Sequence, residues 1–141
     1  MNNFVRPERT HWRDESISAR HRLWGYDCPA VDIDFLLIEY DRKQACALVD
    51  YKHEKLPEWH RNASSAAIAD MATKAGIPAF ICGYAEDFSW FWPVPLNAQA
   101  ERWISEHDGR RLTEEEWVKM LYGMRRREMP SNILPAMECA R

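Results

Sequence analysis

Hydrophobic and polar positions along this chain follow the two-residue period of strands in some segments and the helical period in others. The runs 35–40 and 45–49 are apolar and are separated by the polar segment 41–44, which predicts a hairpin of two strands. A nearly unbroken apolar run, 79–84, suits an interior strand. The aromatic run 88–96 contains Pro93 and Pro95, which lack a backbone N–H, so it is expected at a sheet edge.

Helices are predicted before, between and after these strands. Residues 9–24 form a first helix that ends at Gly25, and residues 97–107 form a short one. The segment from about 59 to 75 is expected to bury one stripe, and Gly76 closes it. That stripe comprises Ala63, Ala67, Ile68, Met71, Ala72 and Ala75. A last helix begins at Thr113 with a capping-box pattern and runs to about residue 127, with a packing stripe of Trp117, Met120, Leu121 and Met124.

This order predicts an α/β fold with a mixed central β-sheet flanked by helices and a C-terminal helical extension. The helix between 45–52 and 79–84 makes parallel pairing of these two strands natural. A chain of 141 residues fits a single domain, 1–141, in which 9–97 form the core and 98–141 the C-terminal helices and tail.

Composition limits the cellular location and the types of ligand expected for the protein. No apolar run approaches the length of a membrane span, and the polar start is not a signal peptide, so a cytoplasmic protein without membrane contact is expected. The four cysteines lack paired spacing, which makes a zinc site improbable, and Cys46 and Cys82 are expected to be packing residues. The net charge of −3 does not exclude nucleic acid, because a metal site must itself be acidic.

The strongest chemical signal is Asp50-Tyr51-Lys52, at the end of the second strand of the hairpin. An acid and a lysine two positions apart on a strand point to the same face. Asp34 introduces the first strand, so the hairpin carries Asp34, Asp50 and Lys52. Two neighbouring carboxylates suit a hard divalent cation, and a lysine beside them can orient water or stabilise charge on a phosphate. The chemistry indicated is metal-assisted hydrolysis of a phosphodiester.

Simpler interpretations of these residues stay open. Lys52 could cap the strand end and extend to water, with Asp50 as a surface partner of little energetic value. Asp32 shares the strand parity of Asp34 and could face the same side. Glu39 has the opposite parity and is expected to be a solvent-facing or partner-pairing acid.

The pattern of Asp34, a hairpin and Asp50-Tyr51-Lys52 resembles the PD-(D/E)XK nuclease superfamily, and the stretch 22–35 with its flanking motifs resembles small phage and prophage proteins of that type. The resemblance covers roughly residues 9–97. It implies a restriction-endonuclease-like core and a Mg²⁺ or Mn²⁺ ion held by Asp34, Asp50 and the Tyr51 carbonyl. Lys52 would be catalytic. The family pattern selects Asp34 over Asp32, which becomes a secondary candidate.

The resemblance also names further residues and partners. Glu15 stands where some members place an additional metal-assisting glutamate, although an acid in the first turn of a helix is the simpler explanation. DNA is the expected substrate. The candidate phosphate contacts that follow the second strand are His53, Lys55, His60 and Arg61. The other basic clusters, 20–22, 110–111 and 125–127, are expected to be solvated faces.

A rival interpretation keeps the nuclease fold without its chemistry. The chain would then be a catalytically inactive accessory factor that binds nucleic acid or another protein. In either case we expect no separate target-recognition domain in 141 residues, so specificity would come from a homodimer or a protein partner.

Overall fold

A computed structural model describes residues 15–24, 33–56, 62–107 and 109–133. The chain divides into two compact units, residues 1–32 and 33–141. In the first unit, helix α1 spans Ser16–Trp24, and the predicted residues 9–14 lie outside the described part. The Glu15 carbonyl accepts a hydrogen bond from the Ala19 N–H at 3.1 Å. Glu15 therefore stands at the start of α1 and not within its first turn.

The second unit contains a mixed four-stranded sheet with helices. Its elements are β1 Phe35–Glu39, β2 Gln44–His53, α2 Ala63–Ala75, β3 Ala79–Tyr84, β4 Phe91–Pro95, α3 Ala98–Ile104 with a 3₁₀ turn Ser105–His107, and α4 Glu114–Met124. The strand order is β1-β2-β3-β4. The pairs β1/β2 and β3/β4 are antiparallel, and β2/β3 is parallel. The α/β class, the parallel crossover and the proline-containing edge strand are thus confirmed.

Helix α2 connects the two parallel strands. Asn62 and Ser65 form a reciprocal capping box at its start, and Gly76, with φ of 74°, ends it in the left-handed conformation. The predicted buried stripe is largely wrong: Ala72 is buried and Ile68 half-buried, whereas the other four positions are exposed. Alanine methyl groups bury too little area to determine which way a helix rotates, and Ser65 is buried because the cap satisfies its hydroxyl.

The main core lies on the other face of the sheet, under α3 and α4. Its members are Ala47, Val49, Phe80, Cys82, Phe91, Ala100, Ile104, Leu112, Trp117, Met120 and Met124. Trp117 is only 1% exposed and meets Phe80 edge to face at 5.8 Å. Truncating it to alanine should cost about 3–5 kcal/mol. The C-terminal helices are therefore an integral part of the core, and the packing role predicted for Cys46 and Cys82 is confirmed.

Helix α2 packs on the face of the sheet opposite α3 and α4, where fewer buried side chains join it to the strands. A small cluster of Leu48, Ala72 and Ala79 joins it to the sheet. Among the described residues, none of the helices combines the length and the apolar character that a membrane span requires.

Candidate active site

Alternation along β2 decides which face carries the candidate residues. Leu48 packs toward α2, whereas Val49 belongs to the core under α3 and α4. Because strand side chains alternate, Asp50 and Lys52 lie on the α2 face, near the end of β2. Their side chains are 22% and 30% exposed, so both are accessible from solvent.

Asp34 lies across the hairpin from Asp50. Phe35 pairs with Val49, and one further step in the same antiparallel register places Asp34 opposite Asp50. A hydrogen bond with Asp50, partial burial and repulsion from the Asp50 charge raise the pKa of Asp34, and the nearby Lys52 charge opposes this rise. The structure therefore brings all three predicted residues together.

The Asp50 carboxylate is only half satisfied. Its Oδ2 atom lies 3.3 Å from the Lys52 Nζ atom. Its Oδ1 atom is buried and accepts no hydrogen bond from the described part of the chain. A buried carboxylate oxygen without a partner is costly in free energy. The site thus has one acceptor oxygen, beside a second carboxyl, that a cation would satisfy.

Tyr51, between the two catalytic candidates, anchors β2 from the opposite face. Its hydroxyl accepts a hydrogen bond from the Trp117 indole N–H at 3.0 Å, and burial raises the pKa of Tyr51 to about 12. Its ring also meets Phe35 edge to face at 5.2 Å. These contacts fix the backbone from which Asp50 and Lys52 project.

The Tyr51 carbonyl, a predicted metal ligand, points toward β1. The Leu48 N–H donates to the Pro78 carbonyl at 3.0 Å, and the Glu54 N–H donates to Tyr84 at 2.9 Å. Even-numbered residues of β2 therefore bond to β3. Since backbone groups alternate between the two sides of a strand, those of Tyr51 lie on the β1 side, where Asp34 is located.

The donor set fits a hard cation better than zinc. No group of three or more His, Cys, Asp or Glu side chains is arranged to hold a metal ion in the ranges 15–24, 33–56, 62–107 and 109–133. Mg²⁺ is commonly held by one or two carboxylates together with phosphate oxygens and waters, so Asp34 and Asp50 meet that requirement. The secondary candidate Asp32 lies outside the described residues, and Glu15 belongs to the other compact unit.

The predicted phosphate contacts are only partly described. His60 and Arg61 lie outside the described residues. His53 Nδ1 accepts a hydrogen bond from the Lys55 N–H at 3.0 Å, and its ring meets Tyr84 on the face opposite Lys52. The Lys55 ammonium group lies 2.8 Å from Glu86 Oε1 in an exposed ion pair. Lys55 is thus close in sequence to the site but carries its own counter-charge.

A second charged centre, which the sequence does not predict, lies at the other end of the hairpin. Glu39 is 1% exposed and accepts hydrogen bonds from Arg127 Nε at 2.8 Å and from the Arg42 N–H at 2.9 Å. Arg125 lies 3.5 Å away. The Arg127 hydrogen bond, assisted by that of Arg42, lowers the pKa of Glu39 to about 2.

Two sequence interpretations are settled by this centre. Of the alternatives for Glu39, the partner-pairing one is confirmed, and its partners are within the chain. The expectation of a solvated face for residues 125–127 is wrong for Arg125, which is half-buried beside Glu39. Arg127 is exposed as expected but also pairs with Glu39 and Asp41. The sequence indicates this centre only through Glu39, an acid at a strand position whose side chain faces the main core. Arg125 and Arg127 are more than 80 residues away along the chain, so no local pattern connects them with Glu39.

No protein-family model, no curated protein and no solved structure matches the chain. The likeness to PD-(D/E)XK nucleases therefore rests on the motif residues and on the order of the elements around them.

Proposed function

We propose that this protein is a metal-dependent nuclease that hydrolyses phosphodiester bonds in DNA, with a restriction-endonuclease-like core of the PD-(D/E)XK type. Asp34, Asp50 and the Tyr51 carbonyl would hold Mg²⁺ or Mn²⁺, and Lys52 is the catalytic residue that positions the attacking water. The motif also suggests a phage or prophage origin.

One observation carries the proposal: Asp34 and Asp50 lie together across the hairpin, while Asp50 Oδ1 is buried and has no hydrogen-bond partner among the described residues. Two adjacent carboxylates repel each other, so a fold that keeps such a pair does so at a cost in stability. Functional sites are where such pairs are commonly found. The order of a hairpin, a crossover helix and a parallel strand gives independent support.

Lys52 and Tyr51 have different roles at this site. A divalent cation, when bound, supplies Lewis-acid stabilisation of negative charge on the phosphate. Lys52 Nζ, held by its 3.3 Å contact with Asp50, donates hydrogen bonds that position the attacking water and stabilise the pentacovalent phosphate. Tyr51, bonded to Trp117, keeps the strand from shifting as substrate binds.

Cleavage of plasmid and branched DNA by the purified full chain, in Mg²⁺ and in Mn²⁺, tests the proposal. Asp50→Asn and Lys52→Met should each lower the rate by at least about 10²-fold without loss of the fold. Asp70→Asn is the matched control, because Asp70 forms an exposed ion pair with Lys74 on α2 at 2.9 Å. Cleavage by Asp50→Asn at the wild-type rate would overturn the assignment.

A second candidate function has one observation in its favour. The Lys52–Asp50 ion pair already supplies a positive charge to one carboxylate, as expected of an inactive nuclease fold that binds nucleic acid or a protein as an accessory factor. This interpretation predicts DNA binding, or partner binding, with no cleavage and no metal binding by the wild-type chain.

A further inference from the structure

The two edges of the sheet are protected very differently. The outer strand β4 carries Pro93 and Pro95, and its Phe91 is bridged to Leu112. Prolines and covering segments are common devices that prevent an edge from pairing with another chain. The opposite edge, β1, has the sequence FLLIE and contains neither proline nor lysine. In the described part of the chain β1 has a neighbouring strand on one side only.

Apolar side chains are exposed along this unprotected edge. The exposed fractions are 47% for Ile33, 58% for Phe35, 48% for Leu36, 43% for Ile38 and 71% for Tyr40. Ile33 and Phe35 lie on one face of β1 and the other three on the opposite face, so apolar surface on the order of 500 Å² in total flanks the edge on both sides. A stable interface takes roughly 800 Å² from each partner, so it would also include polar surface beside β1.

The backbone of β1 is oriented for strand addition. Odd-numbered residues of β2 bond toward β1, so Phe35 and Leu37, which pair with Val49 and Ala47, direct their backbone groups to β2. The register shifts by one residue between Leu37 and Ile38, and the additional residue is on β2. Alternation therefore continues along β1, and the N–H and C=O groups of Leu36 and Ile38 point to the outer edge.

The strand is also complementary to itself. Leu37 is the middle residue of Phe35–Glu39, so a two-fold axis through Leu37 pairs the entire strand with a second copy. Leu36 then lies opposite the partner's Ile38, and both side chains are apolar and half exposed on the same face. The two Asp34 residues are six positions apart along the paired strands, about 20 Å, which keeps the acidic sites from repelling each other.

We propose that two copies of this chain associate through antiparallel pairing of their β1 strands, which joins the two sheets into one of eight strands. This pairing places both candidate sites on the same face of the combined sheet, with the partner's Tyr40 across from Asp34. It does not depend on nuclease activity, because edge geometry and exposed apolar surface alone carry it.

Sedimentation velocity of the full chain over a range of concentrations tests the pairing. The wild type should be a dimer, and Ile38→Lys should raise the dimer dissociation constant at least tenfold. Met71→Lys is the matched control, since Met71 on α2 is also 43% exposed, and it should remain a dimer. A monomeric wild type would overturn the proposal and leave the edge to another occupant. An Ile38→Lys dimer as tight as the wild type would also overturn it.

A cross-linking experiment keeps the test decisive if Ile38→Lys fails to fold. With Cys28 and Cys139 replaced by serine, the double variant Leu36→Cys/Ile38→Cys should form disulfide-linked dimers under mild oxidation, because positions 36 and 38 of opposing copies are about 5.5 Å apart between Cα atoms. Only monomer on a non-reducing gel would contradict the proposed register.

Discussion

The two ends of the β1–β2 hairpin carry acids in opposite electrostatic states. At the turn, Glu39 is almost completely buried, yet Arg127, Arg125 and the Arg42 N–H compensate its charge, and its pKa is lowered. At the open end, Asp34 and Asp50 lie beside each other, the pKa of Asp34 is raised, and one Asp50 oxygen has no partner among the described residues.

The difference distinguishes Glu39, which stabilises the fold, from Asp34 and Asp50, to which we assign the binding of a ligand. The chain supplies its own cations to Glu39, which ties the hairpin turn to the end of α4. Among the described residues, Lys52 is the cation that it supplies to the two carboxylates at the open end. Functional sites are commonly kept at such a cost in stability, and the missing positive charge is what we assign to the metal.

Substituting the acids at the two ends of the hairpin should have its largest effect on thermal stability. Glu39→Gln leaves Arg125 and Arg127 without their buried counter-charge, so the melting temperature should fall by on the order of 10 °C. Asp50→Asn removes a repulsive partner of Asp34 and should leave the melting temperature unchanged or higher. Circular dichroism melts at neutral pH without metal compare the two, and equal losses in both variants would contradict the contrast.

The second prediction concerns metal binding to the folded chain. A cation held by Asp34 and Asp50 stabilises the wild type by about 1.4 kcal/mol at a free concentration tenfold above its dissociation constant, or roughly 4 °C for a chain of this size. Asp34→Asn should abolish this shift in Mn²⁺. Asp70→Asn should retain it, and a shift that survives in Asp34→Asn would place the metal elsewhere.

The two acids should also respond to pH with opposite signs. The pKa of Glu39 falls from 4.5 to about 2 on folding, so its contribution is present above pH 4.5 and is lost as the pH falls toward 2. The pKa of Asp34 is raised above 3.8, so its contribution is present below that pH and is lost as the pH rises through the folded-state value.

Melting curves between pH 2 and 7 separate the two contributions. Relative to the wild type, Glu39→Gln should flatten the loss of stability in acid, whereas Asp34→Asn should improve stability only on the less acidic side. Since Glu116, whose pKa is lowered to about 2 chiefly by Arg110, adds a background of the same sign as Glu39, the measured quantity is the difference between variant and wild type. Identical pH profiles for both variants would contradict these assignments.

The smallest effect is expected at the exposed Lys55–Glu86 pair. Either substitution to alanine should change the free energy of unfolding by less than about 1 kcal/mol. If Lys55 contacts phosphate, Lys55→Ala weakens DNA binding two- to threefold, and Glu86→Ala strengthens it by releasing the ammonium group. Filter binding in low and moderate salt measures both, and no change in either variant would remove Lys55 from the interface.

The sequence predicted what local pattern controls. Hairpin, crossover helix, interior strand and the capping box at Thr113 all follow from short-range periodicity and turn chemistry, and Asp50 and Lys52 share a face because strands alternate. The rotation of α2 could not be predicted, because alanines give nearly equal burial on several faces.

The hydrogen-bond and ion-pair partners that are distant along the chain could not be predicted from the sequence either. The pairing of Glu39 with Arg125 and Arg127 depends on where α4 ends against β1, which no local pattern encodes. The unsatisfied oxygen of Asp50 is likewise a property of packing, since the sequence shows an acid but not which of its oxygens finds a donor.

The most direct test of the central claim is calorimetric titration of the chain with Mn²⁺, with Asp50→Asn and Asp70→Asn measured beside the wild type. We expect one Mn²⁺ per chain in the wild type and in Asp70→Asn, and no binding in Asp50→Asn. Wild-type chain that binds no Mn²⁺, or Asp50→Asn that binds it as tightly as the wild type, would contradict the assignment of Asp34 and Asp50 as the metal site.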